Sequence, residues 1–387
     1  MKKIQLLNKI AACGTDVFDK SVYEVGEAVE NPDAIMVRSA SMHDMELPAS
    51  LRAIARAGAG VNNIPLDKCA EAGVVVFNTP GANANGVKEL AIAALVLAAR
   101  DVAGGIEWAK TLEGNPDAAK AVEKGKGAYV GHELAGKTLG VIGLGAIGGM
   151  VATTATHLGM KVIGCDPYIT VGAAWSLSRS IEKAASYDEI YAKADYITLH
   201  VPATETTRGM ICEKTLSMMK DGVRIINLAR ADLVKADDIK AALASGKVAS
   251  YVTDFPTPET LGVKGIVNIP HLGASTYESE DNCAVMAAHE LDEFLSTGNI
   301  RNSVNFPNVS IPHTGAFRVC FMHKNVPTIL GQITAIISDA GLNIENMANG
   351  SRGEYAYTIV ELADKTTEAA NAAFEAIDGI IRISYYN

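Results

Sequence analysis

The sequence has 387 residues, room for two or three domains of ordinary size, and its 48% apolar and 20% charged residues exclude a disordered or fibrous chain. The formal net charge of −10 argues against sequence-independent nucleic-acid binding, which needs a basic face, so any anionic ligand has to be captured by local groups. The 35 glycines have no three-residue period and are expected at turns and at close approaches of backbone to ligand.

From the N-terminus, Met1-Lys-Lys and the apolar Ile4–Leu7 are too short for a signal peptide, and Lys9 interrupts them. Short apolar runs then predict strands at Lys3–Leu7, Asp33–Val37, Leu51–Ala57 and Val74–Phe77. The third suits a helix end equally well. The fourth is bounded by Gly73 and the turn Asn78-Thr79-Pro80-Gly81. Strands so spaced, with helices between, predict a parallel sheet covered on both faces. Val87–Arg100 reads as a long apolar helix; its Leu90–Ala99 stretch, between Glu89 and Arg100, is too short to span a bilayer.

A second α/β series begins at Lys137, with strands expected at Thr138–Ile142, Lys161–Gly164, Tyr196–Leu199, Val223–Leu228, Val248–Val252 and Ile266–Ile269. Six strands with intervening helices match a doubly wound dinucleotide domain. A helix from about Ser279 to Leu295 follows, then a linker over Asn305–Gly315 with two prolines. The remainder reads as strand (Phe317–Met322), helix (Pro327–Ala340), strand (Asn343–Met347), turn (Gly350–Gly353), strand (Tyr355–Leu362), helix (Thr366–Ile377) and strand (Ile380–Tyr385). That βαββαβ order is a ferredoxin-like module. It holds no catalytic constellation and is expected to bind a small ligand or a second subunit.

The six cysteines are scattered without a Cys-x-x-Cys pair, so neither a zinc site nor a disulfide framework is expected. A soluble, cytoplasmic protein with reduced thiols and no metal is the reading.

Gly143-Leu-Gly145-Ala146-Ile147-Gly148 directly follows a predicted strand and opens a helix. Its glycines permit a tight turn, close backbone approach to a pyrophosphate and tight helix–strand packing, while the helix N-terminus offers unpaired N–H groups. Asp166, 18 residues beyond Gly148, ends the next strand. A carboxylate there accepts from ribose hydroxyls and repels a 2′-phosphate, and Pro167–Ser178 contains no Lys or Arg, so NAD is expected over NADP.

Arg230, Glu259 and His271 lie just after strands of the same domain, where such sheets bind ligands. Hydride transfer between NAD and a 2-hydroxy acid needs a cation for the carboxylate, a proton carrier and a group tuning that carrier. Arginine supplies a bidentate fork, histidine carries a proton near neutral pH, and a glutamate stabilises the imidazolium. Singly, each could be a solvated loop residue or a packed imidazole.

Ala57-Gly-Ala-Gly-Val-Asn-Asn63, Gly143–Gly148, His200-Val201-Pro202, Asn227-Leu-Ala229-Arg230, Asp254–Glu259 and Pro270-His-Leu-Gly-Ala-Ser-Thr276 together resemble the D-2-hydroxyacid dehydrogenase family over essentially the whole chain. The resemblance implies that Glu259 pairs with His271 as general acid/base, that Arg230 holds the substrate carboxylate, and that Asp254 meets the nicotinamide end of NAD. It implies a Rossmann-type nucleotide domain (98–285) inserted in a smaller flavodoxin-like substrate domain (1–97 and 286–307), with the active site in the cleft between them. A linker (308–315) would lead to a C-terminal module (316–387).

That module, with His323-Lys-Asn325-Val-Pro327, Leu330-Gly331 and Gly341-Leu-Asn343-Ile344, resembles the ACT domain of the family's phosphoglycerate-oxidising branch. The implied substrate is 3-phospho-D-glycerate, oxidised in the first step of L-serine synthesis. Arg38, beside Ser39, matches the position contacting the 3-phosphate, and Arg56 is a second candidate; without the family, Arg38 could be a surface arginine closing a strand. Ala59, Gly60, Val61 and Asn83 would help hold the carboxylate, and the role of Lys88 stays open. In relatives His323, Asn325 and Asn343 would bind L-serine across a dimer of these modules, but Thr328 stands where a glycine is usual. The other readings are a glyoxylate- or lactate-type dehydrogenase with a structural tail, and a non-catalytic NAD-sensing regulator. A homodimer or homotetramer is expected.

Overall fold

The computed structural model describes residues 1–387. In chain order, β1 (Lys2–Leu6), α1 (Ala12–Thr15), β2 (Tyr23–Gly26), β3 (Ala34–Val37), β4 (Ala53–Arg56), α2 (Leu66–Glu71) and β5 (Val75–Asn78) come first. Next are α3 (Ala84–Ala99), α4 (Val102–Lys110) and α5 (Ala118–Gly125). The glycine loop lies between β6 (Thr138–Ile142) and α6 (Ala146–His157), followed by β7 (Lys161–Cys165), α7 (Val171–Ser176), β8 (Ile181–Lys183), α8 (Tyr187–Lys193) and β9 (Tyr196–Leu199). Then come α9 (Glu213–Met218), β10 (Val223–Asn227), α10 (Ala236–Ala244), β11 (Val248–Thr253), β12 (Ile266–Asn268) and α11 (Tyr277–Thr297). The C-terminal part holds β13 (Phe317–Lys324), α12 (Ile329–Asp339), β14 (Ile344–Arg352), β15 (Tyr355–Leu362), α13 (Glu368–Glu375) and β16 (Ile380–Tyr386).

The chain forms two compact units, one of residues 1–83 with 280–387 and one of residues 84–279. The first unit contains a parallel sheet in the order β2-β1-β3-β4-β5, the flavodoxin-like order. All four residues of β3 are buried, as expected of a strand covered on both faces. The same unit holds the C-terminal antiparallel sheet, β14-β15-β13-β16, with α12 and α13 packed through Phe321, Ile333, Ile337 and Phe374: the ferredoxin-like arrangement.

This module is not suspended on a free linker. Cys320, Met322, Tyr357, Ile359 and Tyr386 join Ile4, Phe77, Leu291 and Phe294 in one core. Arg318, fully buried, donates to Glu361 (2.7 Å), Thr297 O (2.7 Å) and Pro312 O (3.2 Å). Arg382 donates to Leu51 O (2.6 Å), and Arg352 to Ser303 O (2.7 Å).

The second unit is a seven-stranded parallel sheet, β12-β11-β10-β9-β6-β7-β8, the Rossmann order extended by one strand. Its core is Leu139, Val141, Val151, Ala155, Tyr196 and Ile226 against the buried face of α3. No residue of α4 or α5 is buried.

Several elements differ from expectation. β2 and β8 are additional edge strands whose sequences, Tyr-Glu-Val-Gly and Ile-Glu-Lys, contain no apolar run. Segment 51–57 is a strand, starting at Ala53. β14 continues through Arg352, so the turn falls at Gly353 (φ 57°) rather than over 350–353.

Candidate functional site

In the nucleotide unit the glycine loop has the geometry its sequence requires. Gly143 has φ +90°, and a Cβ on Gly148 would stand 1.9 Å from the Gly143 carbonyl, so no other residue fits that contact. Gly145, at the N-cap of α6, has open space where a Cβ would be, leaving helix-terminal N–H groups uncovered by any capping side chain. The Asp166 carboxylate accepts from Leu144 N and Tyr168 N, both at 2.9 Å, tying the loop to the end of β7 while keeping further lone pairs for a ligand. Ala146 and Ile147 begin α6, and Lys88 lines a cavity of about 370 Å³ with Gly145 and Ala146. His200, followed by Val201 and Pro202, leaves β9 against this loop; burial pushes its imidazole down to about 4, so the ring is neutral at pH 7 and shares a 2.9 Å hydrogen bond with Thr198. These residues fit a dinucleotide.

Asn227, fully buried at the end of β10, shapes the next loop. Its side-chain oxygen accepts from Ala229 N (3.2 Å) and Arg230 N (3.3 Å), and its Nδ2 donates to Arg230 O (2.8 Å). The Arg230 side chain is exposed and donates to Ala229 O (2.7 Å).

Asp254 is 1% exposed at the end of β11. Its Oδ1 accepts from Leu272 N (2.7 Å) and its Oδ2 from Gly273 N (2.8 Å), while its carbonyl accepts from His271 N (3.1 Å). His271 sits at φ +55°, a backbone region uncommon for this residue type, and Asp254 clamps the turn that holds it there. The exposed ring packs on Phe255, centroids 4.8 Å apart. Asp254 and His271 therefore come together, whereas Glu259 does not join His271: it is exposed, with the Thr257 hydroxyl holding its carboxyl below the usual range.

The other unit carries the remaining candidates. Arg56 Nε donates to Arg38 O (3.0 Å), and burial, helped by Arg38, holds its guanidinium below the usual arginine range. Gly58 makes room for it, since a Cβ there would meet Arg56 Nη1 at 1.8 Å. Arg38 Nη2 is paired with Glu280 Oε1 at 2.5 Å. Ala59 is exposed and its carbonyl accepts from Asn78; Gly60, Val61 and Asn83 are half-buried. Asn8 was invisible to sequence reasoning, yet its Oδ1 accepts from the backbone of Arg38 (3.3 Å), Ser39 (3.1 Å) and Ala40 (2.8 Å). Glu280 was also missed, and Asn227 was quoted only as the first residue of its motif, with no role; all three are polar residues at strand or helix ends, a signal too common to assign them a task.

In the C-terminal module His323 is 3% exposed and both ring nitrogens are engaged, with Lys324 O (2.8 Å) and Thr358 Oγ1 (2.9 Å). Burial lowers its pKa. Both ring nitrogens are occupied, and the Thr358 hydroxyl in turn donates to Asn349 Oδ1 (2.8 Å), so a ligand reaching His323 has to break into this chain of bonds. Asn325 and Asn343 are exposed. Thr328 sits at φ +78° at the start of α12.

Residues 93–286 match the family described as D-isomer specific 2-hydroxyacid dehydrogenase, NAD binding domain. A D-3-phosphoglycerate dehydrogenase of Methanocaldococcus jannaschii is 32% identical over 91% of this chain and 64% of its own length. D-3-phosphoglycerate dehydrogenase 2 of Saccharomyces cerevisiae is 28% identical over 97% of this chain and 85% of its own. The NAD+-bound 3-phosphoglycerate dehydrogenase of Entamoeba histolytica superposes with a TM-score of 0.61 at 25% identity, covering 79% of this chain and 98% of that one. No helix is long and apolar enough to cross a membrane. The chain belongs to the D-isomer-specific 2-hydroxyacid dehydrogenase family and is an NAD-dependent dehydrogenase.

Proposed function

We propose that the protein oxidises 3-phospho-D-glycerate to 3-phosphooxypyruvate, the first step of L-serine synthesis. The observation that carries the reading is that Arg56 at the end of β4 donates Nε to the backbone carbonyl of Arg38, on a segment whose N–H groups Asn8 holds, in a chain with many relatives named for that activity. Arg38 and Arg56, with Ser39, take the phosphate; Arg230, the Ala59–Val61 backbone and Asn83 take the carboxylate. His271 removes the hydroxyl proton as the C2 hydride departs; support of the resulting imidazolium is assigned to Glu259 by the family resemblance, although in this structure Glu259 stands apart from the ring. When bound, the nicotinamide supplies the hydride acceptor. Residues 1–97 and 286–307 serve the substrate, 98–285 the cofactor, and 316–387 act as an ACT-type module.

L-Serine is the effector we assign to Asn325 and Asn343, from two modules paired across a dimer, with the buried His323 supporting the strand end that carries Asn325. Homo-oligomerisation is supported by Val102, Ile106, Val122 and Val130, exposed apolar residues of and beside α4 and α5. One observation favours a second reading, an unphosphorylated 2-hydroxy acid as substrate: Arg38 is already neutralised by Glu280. Kinetics of the Arg38→Ala variant separate the two. A KM raised far more for phosphoglycerate than for an unphosphorylated hydroxy acid supports the phosphate role, and equal effects refute it.

A further inference from the structure

At the amino-terminal end of the nucleotide unit's sheet lies a cavity of about 530 Å³ that the dehydrogenase reaction does not use. Its walls come from the starts of β10 and β11, the approach to β12, the end of α3 and the start of α4. The glycine loop follows the carboxyl end of β6 in this parallel sheet, so the two sites occupy opposite ends of it.

Three cations line the cavity, Arg100, Arg224 and Lys264, and none of them forms an ion pair. That is unexpected in a chain with 44 acidic and 34 basic residues, where random placement would favour acidic neighbours. Arg224 is held in place: its Nε donates to Ala98 O (2.9 Å), its Nη1 to Gly222 O (3.2 Å), and its guanidinium lies 5.2 Å from the Tyr196 ring centroid. Both bonds go to neutral carbonyls, so the positive charge stays available. Asp101 is the acidic residue of the lining, and its Oδ1 is occupied by Gly104 N at 2.9 Å. His132 completes the polar wall.

We propose that this cavity binds a small organic polyanion carrying two phosphate or carboxylate groups, at a site separate from catalysis. A volume of this size suits a metabolite rather than a lone inorganic ion, and cations on three separate segments suit two anionic groups.

The test uses the NAD-saturated protein, in which the dinucleotide loop is filled. Hydrogen–deuterium exchange is followed while pyrophosphate or citrate is titrated against sodium chloride of equal ionic strength. Protection confined to residues 97–104, 130–132, 249–250 and 264–268 is expected. The Arg100→Ala/Lys264→Ala double variant, whose changes are at exposed side chains, should weaken binding by about tenfold or more while turnover is kept. Tighter pyrophosphate binding assigns phosphoryl chemistry, and tighter citrate binding assigns carboxylate chemistry. Failure of both anions to protect these segments, protection spread evenly over the chain, or equal affinity in the double variant overturns the proposal.

Discussion

Asp254→Asn tests how the His271 turn is held. The carboxylate uses one oxygen for Leu272 N and the other for Gly273 N, in a position 1% exposed. The amide keeps one acceptor and turns an N–H toward the second backbone N–H, so a buried donor is left unpaired. That loss amounts to ~1–3 kcal/mol, and charge-assisted bonds stand at the upper end. Part of it appears as release of the φ +55° conformation of His271. If the loosened turn misplaces the imidazole, kcat falls by about 10–100-fold, with a smaller change in KM for NAD. Steady-state kinetics with both substrates varied, alongside thermal melting, reads the two effects. An unchanged kcat with only the KM for NAD raised would show that Asp254 acts on the nicotinamide alone and would refute the clamp.

Three further outcomes follow from the geometry. Glu280→Gln frees Arg38 from an exposed ion pair worth ~0.2–1 kcal/mol, so the KM for phosphoglycerate should fall by about 1.4- to 5-fold while that for an unphosphorylated acid stays put. Glu290 is 7% exposed, its Oε2 has no partner, and burial raises its pKa to about 8. The folded chain therefore holds this proton between the ordinary carboxylate value and about pH 8, and stability is lost as pH rises through that window. Glu290→Gln should raise the Tm at pH 9 more than at pH 5, and an equal shift at both would contradict the burial argument. Thr328→Gly removes a β-branched residue from φ +78°, which should stabilise the chain by about 1 kcal/mol after the added unfolded-state entropy is subtracted, and should sharpen any response to serine in an activity titration.

Most of the fold was legible because a parallel sheet buried on both faces writes itself as apolar runs: Ala34–Val37, Val75–Asn78 and Thr138–Ile142 all appeared near their observed limits. Edge strands do not, which is why Tyr23–Gly26 and Ile181–Lys183 were silent. The glycine loop was legible because its backbone geometry admits few sequences. The docking of the C-terminal module was not, since Arg382 meets Leu51 O and Arg52 meets Tyr386 Oη across more than three hundred residues. Residues such as Asn8 and Asn227 act by holding backbone N–H groups of a neighbouring loop, and no local pattern marks that task. His323 showed as a polar residue but not as a buried one, because its burial depends on strand pairing with the segment that carries Thr358.

Steady-state oxidation of 3-phosphoglycerate by NAD, measured beside a panel of unphosphorylated 2-hydroxy acids, tests the proposed activity most directly. Turnover with a kcat/KM for phosphoglycerate well above every other acid is expected, and so is loss of that turnover in the His271→Ala variant. Efficient turnover of an unphosphorylated acid with none of phosphoglycerate would contradict the proposed activity.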